Sequence, residues 1–389
     1  MESVAHRSTV GSAQSPVGSP ASHSPLSANP ECRVKLTSIT IRNFRNLASI
    51  DVELPPTGVV VIGDNGHGKT NLLEAIYYLV LFRSLRGAAD RELVRFGEAG
   101  FFVAGDAGLR LTVGYEIAGR RKKVTAGGKE IRKLSDAVGL VVAVALSPAD
   151  RAIVDGGPAG RRRYLDVLLS LSNPSYLSAL TELRAAMKQR NAALKRGNAA
   201  EAQAFDRPLA KASERVAATR FEWARQWSGR FAELCQSMGE RATPGMSYSS
   251  RHWTPDGGVE GLEEALKLRI ERDLRKATTT VGPHRDDLLL TLGERDTRRF
   301  GSAGQQRTAA IALRLLEAHA LSVSHDTAPI ALFDDVFAEL DEERQERLLL
   351  LIKESLPGQA IVTAPRDAEV PAVLFERPRW RMSGGRLEQ

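Results

Sequence analysis

Residues 59–79 read VVVIGDNGHGKTNLLEAIYYL, a β-branched run that breaks into glycine and resumes as an amphipathic helix. The break, Gly63-Asp64-Asn65-Gly66-His67-Gly68-Lys69-Thr70, satisfies G-x-x-x-x-G-K-[ST] at every fixed position, in the strand–loop–helix setting the motif requires. Glycines let such a loop turn its backbone N–H groups toward one anion. The helix that follows adds the partial positive charge of its N-terminus. Lys69 is placed to reach the β- and γ-phosphates, and the Thr70 hydroxyl to ligate Mg²⁺. The stretch therefore predicts a nucleoside triphosphate, ATP with Mg²⁺, on an α/β P-loop scaffold.

The rest of the chain must supply the other half of that site. In "APIALFDDVFAELDEERQERLLLLI" an apolar run from Ile330 to Phe333 predicts a buried strand ending in Asp334-Asp335. A first carboxylate at such an end can hold Mg²⁺, and a second can act as general base on an attacking water. Asp334 is thus expected at the metal, and Asp335, with Lys69, in catalysis. In "RRFGSAGQQRTAAIALRLLEAHAL", Ser302, Gly304 and Gln305 precede an apolar-faced helix. A serine there can simply cap its own helix. Yet a Ser-x-Gly-Gln turn some thirty residues before an Asp-Asp strand resembles the signature motif of ABC-type ATPases. That resemblance implies that Ser302, Gly304 and Gln305 meet the γ-phosphate of ATP held by a second subunit. "AELD", Ala338 to Asp341, looks like the D-loop that follows.

Patterning divides the 389 residues. Residues 1–33 are rich in Ser, Pro, Ala and Gly and predict a disordered extension. Residues 34–155 predict the first part of the head, with the phosphate loop and a β-rich lobe around 101–145. Residues 156–275 predict a helical arm, in which Trp223, Trp227, Phe231 and Leu234 line one helix face, expected to pack on another arm helix. Residues 276–389 predict the rest of the head. No apolar run approaches the roughly 18 residues of a membrane span. Cys32 and Cys235 have no metal-like spacing, and a reducing cytoplasm is the expected compartment.

The start "LTSITIRNFRNL", the phosphate loop, "FRSLRG", "LSPADRAIVDGGPAGRRRYLD", "TTTVGPHRDDLLLTL", "FGSAGQQRTAAIALRL" and "FDDVFAELD" occur in one order from residue 35 to about 365. Together they resemble the RecF family of bacterial DNA replication and repair proteins. The resemblance implies a two-lobed ABC-type head with an inserted short antiparallel helical arm. It further implies ATP-dependent homodimerisation, weak ATPase activity, and binding of single-stranded, double-stranded or gapped DNA. Work with RecO and RecR in gap repair, recombinase loading and the SOS response would follow, with no membrane role. A soluble ABC-type ATPase subunit of a transporter or other machine without a DNA role is the alternative, but it leaves a basic arm unexplained. The absence of sustained heptads between Thr70 and Ser302 argues against a long-coil chromosome protein.

Two positions depart from the wider ABC pattern. No Gln occurs between Thr70 and Lys188, so the usual Q-loop glutamine is missing, with the "LSPAD" turn, Leu146 to Asp150, near its expected place. Thr363 stands where many ABC proteins put a switch histidine, and Asp335 replaces the usual Glu, so slow turnover is expected. The net charge of +7 suggests a polyanionic partner. Candidate phosphate contacts are Arg120, Arg121, Lys122 and Lys123 in the β lobe, Arg161, Arg162 and Arg163 at a helix start, and Lys188, Arg190, Lys195 and Arg196 on the arm. Arg161 to Arg163 could instead anchor the arm to acidic groups. Arg83 and Arg86 could lie near the nucleotide, and His284 reads as a core histidine.

Overall fold

The computed structural model describes residues 35–337, 340–371, 374 and 376–389. The expected disorder of residues 1–33 and half of the expected D-loop, Ala338 and Glu339, lie outside the described residues.

Two six-stranded sheets enclose the phosphate-loop helix. The antiparallel sheet runs Leu47–Glu53, Ser38–Phe44, Gly100–Asp106, Arg110–Glu116, Arg121–Ala126 and Lys129–Glu130. Its alternation is clean, with Ile39, Ile41, Val103, Leu111 and Val113 inward. The second sheet is ordered Arg386–Glu388, Arg379–Ser383, Gly58–Ile62, Ala360–Ala364, Ile330–Asp334 and Ala143–Leu146. All its pairings are parallel except the C-terminal hairpin. Its central strands are buried on both faces, which is why they read as continuous Val, Ile, Leu and Phe. "LVVAVALSP", the last piece of the β-rich stretch, supplies the edge strand of this second sheet, beside Ile330–Asp334. Helix Lys69–Leu81 is buried almost all round, as a helix between two sheets must be.

The arm is a helical hairpin of Pro174–Lys195 and Asp206–Ser237. Arg190 pairs with Asp206, Glu182 with Arg215, and Arg220 with Tyr176, so partners step apart in both directions and the helices run antiparallel. The aromatic stripe packs more widely than expected. Trp223 meets Tyr164 of helix Pro158–Ser172, but Trp227 meets His319 of helix Ala303–His325, which belongs to the head. Strand Pro244–Ser249 pairs with Asp287–Leu292, so a small sheet bridges the boundary drawn between residues 275 and 276. Among the described residues, no helix is long and apolar enough to cross a membrane.

Candidate functional site

Parallel register brings one end of three strands to the same level. Ile62 lies opposite Ala364, and Thr363 opposite Asp334. The phosphate loop leaves the first strand there, at the carboxyl edge where open α/β sheets place ligands. Crowding dictates two of its glycines, and a positive φ favours the third, Gly66. A Cβ on Gly63 would stand 2.2 Å from the Met382 carbonyl oxygen, and Gly68 has φ +113° with Asn46 Oδ1 2.8 Å from where its Cβ would be. Asn46 Nδ2 donates to the Gly66 carbonyl at 3.4 Å, Asn71 supports Asn46 at 2.8 Å, and Gly385 N–H donates to the His67 carbonyl at 2.9 Å. Asn46 and Gly385 are supports that the motif alone does not reveal. The ammonium of Lys69, 4% exposed, fills the loop and donates to the Gly63 carbonyl at 2.7 Å.

The acidic side converges on the same point. Thr70 Oγ1 donates to Asp334 Oδ1 at 2.9 Å, and Lys69 Nζ lies 3.9 Å from Asp335 Oδ2. Thr363 Oγ1 stands between the carboxylates, 3.0 Å from Asp334 Oδ1 and 3.2 Å from Asp335 Oδ1, and accepts the Asp335 N–H at 3.1 Å. Asp335 has φ +49°, a strained conformation for a residue other than glycine. Burial pushes the Asp334 carboxyl above its ordinary range; Asp335 adds to this, while Thr70, Thr363 and Lys69 oppose it. A buried carboxylate short of positive charge, beside a hydroxyl and a phosphate loop, fits the one or two protein ligands that Mg²⁺ takes at a nucleotide. Thr70 and Asp334 would hold it.

Ser302 does cap its own helix: it accepts the Gln305 N–H at 3.2 Å, and its N–H donates to Gln305 Oε1 at 3.0 Å. Ser302 is nonetheless exposed at the surface, while Gly304 and Gln305 are half-buried, with Gln305 reaching Glu240 at 3.3 Å. Its helix is clamped from behind. Arg314 grips Asp150 of the "LSPAD" turn at 2.6 and 3.1 Å and Glu317 at 2.6 Å, all three buried or nearly so. Arg86 is spent on Asn71 and Glu74 behind the phosphate loop, and Glu74 also receives Arg45 and Ser84. Arg83 lies beside Arg163.

Several expected DNA contacts are consumed inside the fold. Arg161 is 4% exposed, holds both oxygens of Asp287 at 2.7 and 2.9 Å, and donates to the carbonyls of Ile153, Val154 and Gly156. Arg162, half-buried, donates to the Asp286 carbonyl, and Arg163, exposed, donates to the Ser84 carbonyl. Lys122 bonds the Phe82 carbonyl and Asp90 and lies over the Tyr78 ring. Arg190 is wholly buried between Asp206 and Asp273. Helical periodicity cannot tell a surface guanidinium from one facing a carboxylate 83 or 126 residues away, as Arg190 and Arg161 do; the contacts of Arg161 are those of the alternative expectation, an anchor to acidic groups. Arg120 and Arg121 are exposed, as are Lys188 and Lys195; Lys123 faces Glu130 at 3.7 Å, and Arg196 faces Glu201. Arg161→Ala is expected to destabilise the chain by about 3 kcal/mol, the low end for a broken buried pair, because it strands three carbonyls and the half-buried Asp287 carboxylate. Urea unfolding checks this, and a loss under 1 kcal/mol would return Arg161 to the surface class.

His284 bonds the Thr279 carbonyl at 3.0 Å, while burial holds its imidazole down to about 4. The folded chain keeps this ring neutral, whereas the unfolded chain protonates it near 6.5. The unfolded state therefore gains protons first, and stability falls as pH drops from 6.5 toward 4, by up to roughly 3 kcal/mol. His284→Gln should flatten that limb of the pH–stability curve; an unchanged limb would assign the acid sensitivity elsewhere.

The family described as RecF/RecN/SMC N terminal domain matches residues 35–373. A DNA replication and repair protein RecF from Anaeromyxobacter dehalogenans (strain 2CP-C) is 37% identical over 347 residues, 85% of this chain and 92% of its own. A solved structure of the recombination mediator protein RecF-ATP in the RecFOR pathway superposes with a TM-score of 0.84 at 27% identity. It covers 92% of this chain and 99% of its own. An Smc head bound to the winged-helix domain of ScpA shares the fold at 16% identity, with a TM-score of 0.50.

Proposed function

The chain belongs to the RecF family, and from that premise we propose that it is an ATP-switched DNA-binding protein of replication and repair. One observation carries the reading. Lys69, Thr70, Asp334, Asp335 and Thr363 converge at the carboxyl edge of the parallel sheet, while the exposed Ser302 cap stands ready for a second molecule. On this reading the loop from Gly63 to Thr70 holds the triphosphate, with Lys69 countering β- and γ-phosphate charge. Mg²⁺, held by Thr70 and Asp334, would neutralise charge on the phosphate oxygens. Asp335 takes the proton of the water that attacks the γ-phosphorus, the bond to the β-bridging oxygen breaks, and ADP leaves with phosphate. Its strained backbone fixes where that carboxylate points. Thr363 holds both acids in place but, unlike imidazole, cannot take up a second proton at neutral pH, which supports slow turnover.

Ser302, Gly304 and Gln305 complete the site in a homodimer, so ATP joins two heads and hydrolysis releases them. Exposed Arg120, Arg121 and Lys123 remain lobe contacts for DNA. Action at gaps, recombinase loading with RecO and RecR, the SOS response and cytoplasmic residence rest on family membership alone. Asp335→Asn is expected to slow turnover about 10²-fold or more while ATP still binds. Single-turnover hydrolysis beside equilibrium ATP binding checks this, and a wild-type rate would place the base elsewhere.

A further inference from the structure

The internal pairing of Arg161, Arg162, Arg163, Arg190 and Lys122 leaves open where the basic excess of this chain faces solvent. Much of it gathers around one cleft of about 520 Å³, between strand Pro244–Ser249, helix Ile270–Lys276 and the turn before strand Asp287–Leu292. Arg251, Arg269, Arg272, Lys276 and Arg285 line it, all exposed. None of the five makes an ion pair among the described residues, whereas most arginines of the arm do. The one carboxylate on the wall, Asp287, is already held in both oxygens by Arg161. Asp273, on the same helix, is buried and bonded to Arg190 and Thr280, and Asp286 to Tyr248 and Ser250. Glu271 is the remaining acid of that helix; it forms no ion pair among the described residues and lines the adjoining hollow with Arg275 and with Arg269, Arg272 and Lys276 of the cleft, so one carboxylate stands beside the cations but off the cleft wall.

Five like charges without counter-ions repel one another, and the field is felt nearby. His252, on the wall, is held below the ordinary imidazole range by burial first, then by Arg269, Arg251 and Arg272, with Asp286 opposing. A neutral ring and the exposed Leu289 give the cleft a flat, apolar strip between its cations. Guanidinium forks match phosphate oxygens in pairs, and a neutral strip accommodates sugar or base.

We propose that this cleft binds the phosphodiester backbone of a nucleic-acid strand, and that it is a principal DNA contact of the chain. The inference rests on the DNA-binding reading above and gives it a location that charge runs in the sequence did not indicate. A phosphodiester strand fits better than an acidic peptide, because the wall carries five cations and no unspent carboxylate to accept peptide N–H groups.

The test is Arg272→Glu with Lys276→Glu, titrated with a single-stranded oligonucleotide and with a duplex of equal length, each at several salt concentrations. Affinity at low salt should fall at least tenfold. The slope of log K against log salt should lose about 1.4–1.8, the value of two phosphate contacts, for whichever DNA form the cleft holds. ATP binding and thermal unfolding, read on the same sample, should match wild type. If this variant does not fold, Arg251→Glu with Arg285→Glu probes the opposite wall. Wild type that binds neither DNA form defeats the DNA-binding reading itself. Wild type that binds while the folded variant keeps its affinity and slope overturns the cleft alone. So does a variant that loses a polyglutamate peptide but keeps DNA.

Discussion

Lys69→Ala is expected to weaken ATP binding by at least about 30-fold. The ammonium is buried in the loop, donates to the Gly63 carbonyl and stands 3.9 Å from Asp335. Alanine leaves a triphosphate facing Asp334 and Asp335 without the nearest opposing charge. Truncating one member of a buried charge pair costs about 2–5 kcal/mol, or roughly 30- to 5,000-fold in Kd. Fold should survive, since the helix that follows is anchored by Leu72, Leu73, Ile76 and Leu79 rather than by Lys69. Calorimetric titration with ATP, beside a thermal melt, reads both effects. Retained affinity would mean that the loop holds something other than phosphate.

Ser302→Arg tests the other half of the site. In one chain Ser302 serves Gln305 alone, and both face solvent or Glu240. An arginine there should leave monomeric ATP binding intact and cost about 1 kcal/mol of cap stability. It should also block ATP-dependent dimerisation completely if the proposed dimer forms through Ser302, because its bulk would then occupy the approach of the second nucleotide. The ATP-stimulated part of DNA binding should vanish with it, since a dimer doubles the phosphate contacts and steepens the salt dependence. Sedimentation with and without ATP, alongside DNA titrations, separates the two consequences. A mutant that still dimerises removes Ser302 from the interface; one that stays monomeric yet binds DNA as wild type makes the monomer the DNA-binding form.

Much of the head was legible because its chemistry is local. A strand, a glycine turn and a helix lie within 21 residues in "VVVIGDNGHGKTNLLEAIYYL", and the buried run before Asp334-Asp335 announces itself by composition. What could not be read were pairings set by distance. "LVVAVALSP" looks like any β segment until Phe333 is found beside Leu146. Thr363 reads as a missing histidine, yet its hydroxyl joins both acids. Trp227 has the right spacing for the arm but the wrong neighbour, His319. Arg161 and Arg190 have the sequence context of surface cations and the environment of buried ones. The cationic cleft escaped for the opposite reason: its arginines are spread from Arg251 to Arg285, and only the fold gathers them.

The grip of Arg314 on Asp150 and Glu317 has a mechanical consequence. Breaking a buried ion pair costs several kcal/mol, so the helix behind Ser302 cannot slide over the sheet as a loose part. In the proposed dimer, a load applied at Ser302 by a second head would pass along that helix into the turn after strand Ala143–Leu146, which lies hydrogen-bonded beside the strand carrying Asp334. Tension between two joined heads would therefore arrive at the acidic edge of the nucleotide site as displacement rather than be absorbed on the way. Arg314→Met, which keeps the bulk and removes the grip, would convert that rigid linkage into a compliant one.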